Sequence, residues 1–325
     1  EIVPESDSVL QHIKVVGRHI IISELYSAHS RLRVLSLDKG SEKLVKLPGM
    51  GLIQYSGAKD SSLFSVDGSK VYFVFETFTE PARLYCYDLK SGELKASSPP
   101  PAIDLSHIKV SQRYFPSKDG IKIPLYLVHR RDLDLTTPQN LLLSGYGGWN
   151  FIPAPCYVAR TRNFVLPFLE AGGICAYPGI RGGCEFGREW WFRGRRKHKQ
   201  TTYDDFYAAA EYLIGKEITE ASKMAIYGTS NGGLLVAVAL TQRPDLFEAA
   251  VAEVPLTDMI RSMKDPYMQS YIAEYGDPYD PEMLSCLLAY SPVHNVTRGT
   301  AYPGALFLSG YSDVRCQVWN SRKMV

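Results

Sequence analysis

Alternating apolar and polar residues predict short antiparallel strands in the first hundred residues. The segments RLRVLSLDKGSEKLVKL, from Arg31, and ARLYCYDLKSGELKASS, from Ala82, each consist of a strand pattern, a polar turn with glycine, and a returning strand. Their spacing of about 50 residues is typical of β-propeller blades, although two chance hairpins are the alternative. Because two blades cannot close a ring of four to eight, we expect residues 1–100 to be the C-terminal blades of a longer propeller.

A proline-rich stretch marks the next change in the pattern. Residues Lys95 to Leu105 read KASSPPPAIDL, and three consecutive prolines forbid a helix and disfavour an inner strand. We therefore predict a domain boundary here, with propeller blades in residues 1–100 and a second domain in residues 101–325. After Val110, the sequence SQRYFPSKDGIKIPLYLVH predicts two strands joined by a turn at Asp119-Gly120.

In the second domain, short apolar strands alternate with helical segments. The predicted strands are Asn140–Ser144, Gly173–Tyr177, Met224–Gly228, Ala249–Val254 and Gly304–Ser309. The predicted helices are Tyr157–Glu170, Tyr203–Ile214 and Asn231–Gln242. This alternation predicts an α/β domain with a parallel or mostly parallel sheet that is covered by helices on both faces.

The stretch YGTSNGG, Tyr227 to Gly233, lies between a predicted strand and a predicted helix. It contains the pattern G-x-S-x-G, which in this context forms the nucleophile elbow of α/β-hydrolases and lifts Ser230 to the carboxyl edge of the sheet. Gly228 and Gly232 are needed because side chains there would collide across the tight bend. The N–H of Asn231, at the helix start, is the first candidate oxyanion donor. A glycine-rich structural turn with a capping serine is the alternative.

Two further segments add candidate chemistry. LLLSGYGGWN, from Leu141, predicts a strand that ends in a glycine loop, and in α/β-hydrolases a loop of this kind completes the oxyanion hole. Tyr146 can supply a phenolic O–H and Trp149 an aromatic wall, the alternative being a turn followed by a core tryptophan. In ALFLSGYSDVR, Asp313 follows a late strand, and the order serine, aspartate, histidine is that of hydrolases. A surface aspartate in a turn is the alternative.

Composition narrows the function classes. The 325 residues are 45% hydrophobic and 22% charged with a net charge of +2, a globular balance without the excess charge expected for binding nucleic acid or an anionic membrane. No apolar run approaches the ~18 residues of a transmembrane helix. The six cysteines form no C-x-x-C pair, and there is no H-E-x-x-H, Walker loop or dinucleotide fingerprint. We expect no metal and no organic cofactor.

From about Val110 onward, the sequence resembles the catalytic domain of the prolyl oligopeptidase family of serine peptidases. The matching phrases are FPSKDGIKIPLYLVH, GYGGWN, GIRGGCEFGREWW, DDFYAAAEYLI, YGTSNGGLLVA, QRPDLFEAAVAEVP and YSPVHNV. The preceding blades also suit that family, in which a propeller caps a hydrolase. The resemblance covers essentially the whole chain and implies an α/β-hydrolase domain preceded by the last blades of a β-propeller.

The resemblance also implies roles for individual residues. It implies that Ser230 is the nucleophile and that Asp313 orients the catalytic histidine. It further implies an oxyanion hole made of the Asn231 N–H and the Tyr146 O–H. Arg315 would then donate to a substrate carbonyl.

In the same resemblance, Trp149 and Tyr271 belong to an aromatic pocket for proline. The family usually carries a tryptophan at the Tyr271 position, where it stacks on the proline ring, so this difference bears on specificity. The relative that cleaves after lysine or arginine needs acidic side chains, and the loop after Gly148, WNFIPAPCY, has none. We therefore predict cleavage after proline.

The histidine of the hydrolase triad is missing from the place where the family has it. All seven histidines precede Asp313 in the chain: His12, His19, His29, His107, His129, His198 and His294. His294, in YSPVHNV, matches a non-catalytic family position, and His198, in RGRRKHK, is expected on a solvated basic face. Since losing a triad member costs orders of magnitude in rate, we expect a fragment that stops before its histidine and is inactive alone.

These observations lead to one main hypothesis and several alternatives. The main hypothesis is a serine oligopeptidase that hydrolyses short peptides after proline through an acyl-enzyme. We expect a cytoplasmic monomer with short peptides as its partners, and neither nucleic acid nor membrane. The alternatives are a non-catalytic hydrolase-like protein that binds peptides, a serine hydrolase or transpeptidase of other specificity, and nucleic-acid binding through Arg193–Lys199.

Overall fold

The computed structural model describes residues 2–54, 64–159 and 164–325, which fall into two compact units. The first unit consists of residues 1–108 and 153–167, and the second of residues 109–152 and 168–325. The chain therefore returns to the first unit for a short segment before it completes the second. A domain boundary at residue 100 stays a prediction.

Two antiparallel sheets form the first unit. Their strands are β1 (Val9–Val16), β2 (His19–Tyr26), β3 (His29–Ser36), β4 (Ser41–Val45), β5 (Gly51–Gln54), β6 (Ser65–Asp67), β7 (Lys70–Thr77), β8 (Arg83–Asp88) and β9 (Glu93–Ala96). The first sheet pairs in the order β1-β2-β3-β4, and the second in the order β5-β7-β8-β9 with β6 also paired to β7. The two predicted hairpins are confirmed as β3–β4 and β8–β9.

Side-chain alternation explains why these segments form sheets. In β3, Leu32 and Val34 are buried, whereas the intervening Arg31 and Arg33 stay partly exposed. Because successive side chains of a strand point to opposite faces, this pattern gives the sheet one apolar face. Buried residues from both sheets form one apolar cluster, which includes Ile21, Leu32, Phe73, Phe75 and Tyr85.

The helix predicted over Tyr157–Glu170 is wrong in its first part. Helix α1 covers only Val165–Glu170, residues 157–159 are not helical, and residues 160–163 lie outside the described residues. The N–H of Tyr157 donates to Glu76 Oε1 at 2.8 Å, and the N–H of Val158 donates to the Phe78 carbonyl at 3.0 Å. These two hydrogen bonds hold Tyr157 and Val158 in a non-helical conformation, which the local sequence does not reveal.

A seven-stranded sheet organises the second unit. Its strands are β10 (Ile108–Pro116), β11 (Lys122–Arg130), β12 (Leu141–Ser144), β13 (Ile174–Pro178), β14 (Met224–Thr229), β15 (Ala249–Glu253) and β16 (Gly304–Leu308). They pair in the order β10-β11-β13-β12-β14-β15-β16. The five strands from β12 to β16 are parallel to their neighbours, whereas β11 runs antiparallel to β13. All five strands predicted from the sequence are confirmed within one or two residues.

Helices follow most of these strands. Besides α1 they are α2 (Arg188–Phe192), α3 (Lys199–Gly215), α4 (Asn231–Gln242), α5 (Met259–Lys264), α6 (Ile272–Tyr275), α7 (Pro281–Tyr290), α8 (Pro292–Asn295) and α9 (Trp319–Met324). Helix α4 has the predicted bounds, and its first ten residues are all buried, as expected beside a parallel sheet. Helix α3 begins four residues before the predicted Tyr203. Within the described ranges, no helix is both long and apolar enough to cross a membrane.

Candidate active site

Ser230 lies in the turn between the end of β14 and the start of α4. Its backbone angles, φ 58° and ψ −115°, fall where residues with a side chain are rarely found, at a cost of roughly 1–3 kcal/mol. Two backbone hydrogen bonds hold the turn: the Ser230 N–H donates to the Glu253 carbonyl at 2.9 Å, and its carbonyl accepts from the Leu234 N–H at 3.0 Å. This is the strained strand-to-helix turn by which α/β-hydrolases present a serine hydroxyl.

The two glycines of the motif are required by close backbone contacts. A Cβ on Gly228 would lie 2.1 Å from the carbonyl oxygen of Gly232, and a Cβ on Gly232 would lie 2.6 Å from that of Gly145. Both distances are far below van der Waals contact, so no other residue fits without moving the backbone. The predicted collision is confirmed. Because Gly232 has no side chain, the start of α4 can also lie close to the loop after β12.

That loop brings Tyr146 to the serine. The Tyr146 phenol interacts with the Ser230 side chain, and burial, reinforced by the carboxylate of Glu274, raises the pKa of the phenol. A raised pKa keeps the hydroxyl protonated and able to donate a hydrogen bond. The side-chain amide of Asn231 donates to the backbone carbonyl of Tyr146, which ties the loop to the first turn of α4. Three predicted site residues are thus adjacent, although their catalytic roles stay predictions.

Three aromatic rings form a wall beside this loop. The rings of Trp149 and Tyr271 meet edge-on, with centroids 4.6 Å apart and an interplanar angle of 87°. Tyr275 is stacked parallel to Tyr271 with centroids 6.5 Å apart. The pKa of Tyr271 is raised, mainly by burial. The nearby charge of Asp313 also raises this pKa, and the nearby charge of Arg315 lowers it. The predicted aromatic residues are therefore brought together, with the predicted Arg315 and Asp313 in their vicinity.

Asp313 lies in the loop between β16 and α9. Its Oδ1 accepts from the N–H groups of Arg315 and Cys316, each at 2.9 Å, so the carboxylate organises its own loop. The sulfur of Cys316 lies 4.0 Å from the Ser230 hydroxyl oxygen. Burial raises the pKa of the Cys316 thiol to about 11, so the thiol is neutral near pH 7. Cys316 therefore lies between the predicted nucleophile and the predicted aspartate, a place that sequence reasoning did not assign to it.

Two histidines discussed above lie in other surroundings. The Nδ1 atom of His294, on α8, is 2.8 Å from the Ser291 hydroxyl. His198 is exposed and ends a short 3₁₀ turn that begins at Arg196. The hydrogen bond of His294 fits a structural role, and the exposure of His198 fits the predicted solvated face.

The carboxylate of Glu253 stabilises the turn that carries Ser230. The Glu253 side chain accepts hydrogen bonds from the Tyr227 phenol and, at 2.8 Å, from the Thr229 hydroxyl. Because the Glu253 carbonyl also binds the Ser230 N–H, one residue of β15 holds the end of β14 and the turn together. The sequence motifs do not single out Glu253, although its position in VAEVP at the end of a predicted strand is a usable signal.

A buried ion pair adjoins the loop after β12. The Nζ atom of Lys199 lies 2.8 Å from Glu274 Oε1, and the two side chains are 1% and 0% exposed. Lys199 belongs to the basic segment RGRRKHK, whose run of positive charges predicts a solvated face. Its burial could not be inferred from that segment, because only the fold brings Glu274 to it.

A possible metal site would be formed by His, Cys, Asp and Glu side chains. In the part of the chain that the structure describes, no cluster of three or more His, Cys, Asp or Glu side chains is arranged to hold a metal ion.

Comparisons with known families match both units. Residues 160–325 match the prolyl oligopeptidase family, and residues 1–99 match the N-terminal β-propeller domain of prolyl oligopeptidase. Together they support the predicted fold class, an α/β-hydrolase domain preceded by propeller blades.

Individual relatives agree with this assignment. The chain is 38% identical over 321 residues to the uncharacterized peptidase y4nA of Sinorhizobium fredii, covering 97% of this chain and 43% of that protein. It is 31% identical to a prolyl endopeptidase of Dictyostelium discoideum, covering 100% of this chain and 42% of that protein. A solved structure from a study of two prolyl endopeptidases matches with a TM-score of 0.88 and 37% identity, over 99% of this chain and 46% of that one.

The chain thus spans less than half the length of these relatives. Within that span, the family matches, the sequence identities and the fold all agree. The chain belongs to the prolyl oligopeptidase family of serine peptidases.

Proposed function

We propose that the protein to which this chain belongs is an oligopeptidase that cleaves short peptides after proline, with Ser230 as its nucleophile. The observation that carries this proposal is the strained turn at Ser230, with the Tyr146 phenol against its side chain. Strain of this kind persists only where the surrounding structure enforces it, and it is concentrated at functional sites.

In the proposed reaction, the Ser230 oxygen attacks the carbonyl carbon of the scissile peptide bond as an imidazole removes its proton. The carbonyl oxygen becomes negatively charged and accepts hydrogen bonds from the Tyr146 phenol and the Asn231 N–H. The imidazolium then protonates the leaving amine, the C–N bond breaks, and an acyl-enzyme remains on Ser230. Water, deprotonated by the same imidazole, hydrolyses the ester and restores the hydroxyl.

The imidazole belongs, in this proposal, to a part of the protein outside these 325 residues. Two observations support this: every histidine of the chain precedes Asp313, and the chain spans less than half of its relatives. Asp313 would orient that imidazole. We accordingly expect the 325-residue chain alone to lack peptidase activity.

Cleavage after proline is supported by the aromatic wall. The Trp149 and Tyr271 rings meet edge-on at 4.6 Å, and aromatic faces of this kind pack well against the flat pyrrolidine ring. Arg315, in the Asp313 loop, would donate to a substrate carbonyl.

A fluorophosphonate probe applied to the full-length protein tests the nucleophile. The probe reacts only with an activated serine, so we expect one label on the peptide that contains Ser230 and none in a Ser230→Ala variant. Fluorogenic peptides with proline or arginine before the reporter then test specificity, with the proline peptide expected to be the better substrate. Absence of labelling in the folded wild-type protein would favour the alternative, a non-catalytic protein that binds peptides.

A further inference from the structure

Helix α6 contacts the loop after β12 through a buried carboxylate. Glu274, which is 0% exposed, accepts hydrogen bonds from three donors. These are the Trp149 N–H at 3.1 Å, the Trp191 indole N–H at 2.7 Å and the Lys199 ammonium at 2.8 Å. Lys199 also donates to the Gly147 carbonyl at 2.8 Å. Two backbone groups of the loop, the Gly147 carbonyl and the Trp149 N–H, are thereby bound to the ion pair.

The next residue of α6 contacts the other side of the site. The Tyr275 phenol is fully buried and donates to the Asn231 side-chain oxygen at 2.8 Å. The Asn231 side-chain nitrogen donates in turn to the Tyr146 carbonyl. Tyr275 thus fixes which way the Asn231 amide is turned, and the amide holds the loop at Tyr146.

We propose that Glu274, Lys199 and Tyr275 are positioning residues that hold the two oxyanion donors, the Tyr146 phenol and the Asn231 N–H, at their working separation. This inference rests on the proposed function. The two donors come from segments about 85 residues apart in sequence, so tertiary contacts, including the pairing of β12 with β14, set their separation. Helix α6 binds both segments through adjacent residues.

The ionic character of the pair favours this interpretation over simple packing. Removing two charges from water is costly, and a buried ion pair is often no more stabilising than apolar residues of the same size. Unlike apolar residues, the two charged groups of an ion pair each accept or donate several hydrogen bonds with defined geometry, so they can fix the position of the groups they bind. Here those bonds end on the backbone of the loop that carries Tyr146.

A second effect of Glu274 acts on Tyr146 itself. After burial, the Glu274 carboxylate is the next cause that raises the pKa of the Tyr146 phenol. The carboxylate therefore helps to keep the donor protonated while its hydrogen bonds hold the loop.

The first test is Tyr275→Phe in the full-length protein, with Tyr290→Phe as its matched control. Both tyrosines are fully buried, but the Tyr290 hydroxyl makes no hydrogen bond to the described residues. Because small displacements of catalytic groups cost up to about 100-fold in rate, we expect Tyr275→Phe to lower kcat about 10- to 100-fold with little change in KM. Tyr290→Phe should leave both constants within about 2-fold, whereas Tyr275→Phe should also melt somewhat lower because it leaves the buried Asn231 amide oxygen without its donor.

The second test separates positioning from stability at the ion pair. We expect Lys199→Met and Glu274→Gln each to lower both the melting temperature and kcat, since each leaves a buried group without its partner. The double variant Lys199→Met/Glu274→Gln has no uncompensated charge, so its melting temperature should recover. Its kcat and its rate of fluorophosphonate labelling should stay low, because the Gly147 carbonyl has lost its Lys199 donor and the Trp149 N–H meets a neutral amide instead of a carboxylate.

The outcomes separate this inference from the proposed function. If the wild-type protein neither hydrolyses peptides nor reacts with the probe, the proposed function fails and the inference fails with it. If the wild type is active and Tyr275→Phe has wild-type kcat, or the double variant recovers kcat together with its melting temperature, only the inference is overturned.

Discussion

The sulfur of Cys316 lies 4.0 Å from the hydroxyl oxygen of Ser230, and the N–H of Cys316 donates to Asp313 Oδ1 at 2.9 Å. One residue therefore contacts both the proposed nucleophile and the residue proposed to orient the imidazole. Burial raises the pKa of its thiol to about 11.

We predict that Cys316 resists alkylation near neutral pH. A thiol reacts as its thiolate, and a pKa raised to about 11 leaves little thiolate at pH 8, with reactivity rising only as the pH approaches that value. Peptide mass spectrometry after iodoacetamide treatment of the full-length protein checks this, with the half-buried Cys286 on α7 as the control. Modification of Cys316 at pH 8 as fast as that of Cys286 would contradict the prediction.

The elbow should not accept a methyl group at Gly228. A Cβ there would lie 2.1 Å from the Gly232 carbonyl oxygen, and backbone atoms cannot move aside cheaply. We expect Gly228→Ala to lower the free energy of unfolding by about 3 kcal/mol or more. Gly215→Ala is the control, because a Cβ at Gly215 meets no atom within 4 Å and alanine suits the end of α3. Urea unfolding curves of the two variants should differ clearly; equal midpoints would show that the elbow tolerates a side chain.

Tyr146→Phe should lower kcat more than it changes KM. Removal of one oxyanion donor loses an interaction that strengthens in the transition state, and we expect a loss of roughly 100-fold in kcat. Because the pKa of this phenol is raised, its ionisation should not reduce activity below about pH 10. Peptide hydrolysis by the full-length protein as a function of pH measures both effects. Tyr267→Phe, at a strongly exposed tyrosine, should have no effect.

Tyr271 should control how strongly proline is preferred. Replacing it with tryptophan enlarges the aromatic face beside Trp149, so we expect Tyr271→Trp to raise the preference for proline over alanine several-fold. Tyr271→Ala should lower the same ratio. The ratio of kcat/KM for two fluorogenic peptides that differ only in this residue is the measurement. An unchanged ratio in both variants would remove Tyr271 from the proposed pocket.

Buried Glu185 should make stability depend on pH. Its Oε2 has no hydrogen-bond partner among the described residues, and burial raises its pKa to about 8 from 4.5. Between these two pH values the folded state holds a proton that the unfolded state releases, so stability falls as the pH rises. The slope contributed is at most about 1.4 kcal/mol per pH unit.

Glu185→Gln removes this titration and should flatten the dependence of the unfolding free energy on pH between 5 and 8. Glu189→Gln, at an exposed glutamate of the same segment, is the matched control and should retain the slope. Parallel curves for all three proteins would show that Glu185 is already charged in the folded state.

Local sequence patterns are sufficient to predict the strand and the helix that flank Ser230. The apolar run after the glycine motif predicts α4 from Asn231 to Gln242, and the structure has the same bounds. The five strands from β12 to β16 were equally predictable, because buried parallel strands are apolar along their whole length. The collision at Gly228 followed from the motif as well, since a tight strand-to-helix turn leaves no room for side chains.

Other features depend on contacts between segments that lie far apart in the chain. Lys199 reads as the end of a basic, solvated run, yet it is buried because Glu274, 75 residues later, folds against it. The segment at Tyr157 and Val158 is predicted to be helical, yet it is not helical, because Glu76 of β7 and the Phe78 carbonyl accept its N–H groups.

The sequence by itself therefore determined the fold class, the family, the strand and helix that carry Ser230, and the candidate site residues. Only the tertiary structure placed Cys316 between Ser230 and Asp313 and bound the Tyr146 loop to α6. The physical reason is that periodicity and turn chemistry act between near neighbours in the chain. Whether a charge is buried, and which partner a side chain hydrogen-bonds, depends instead on which distant segment the fold brings into contact.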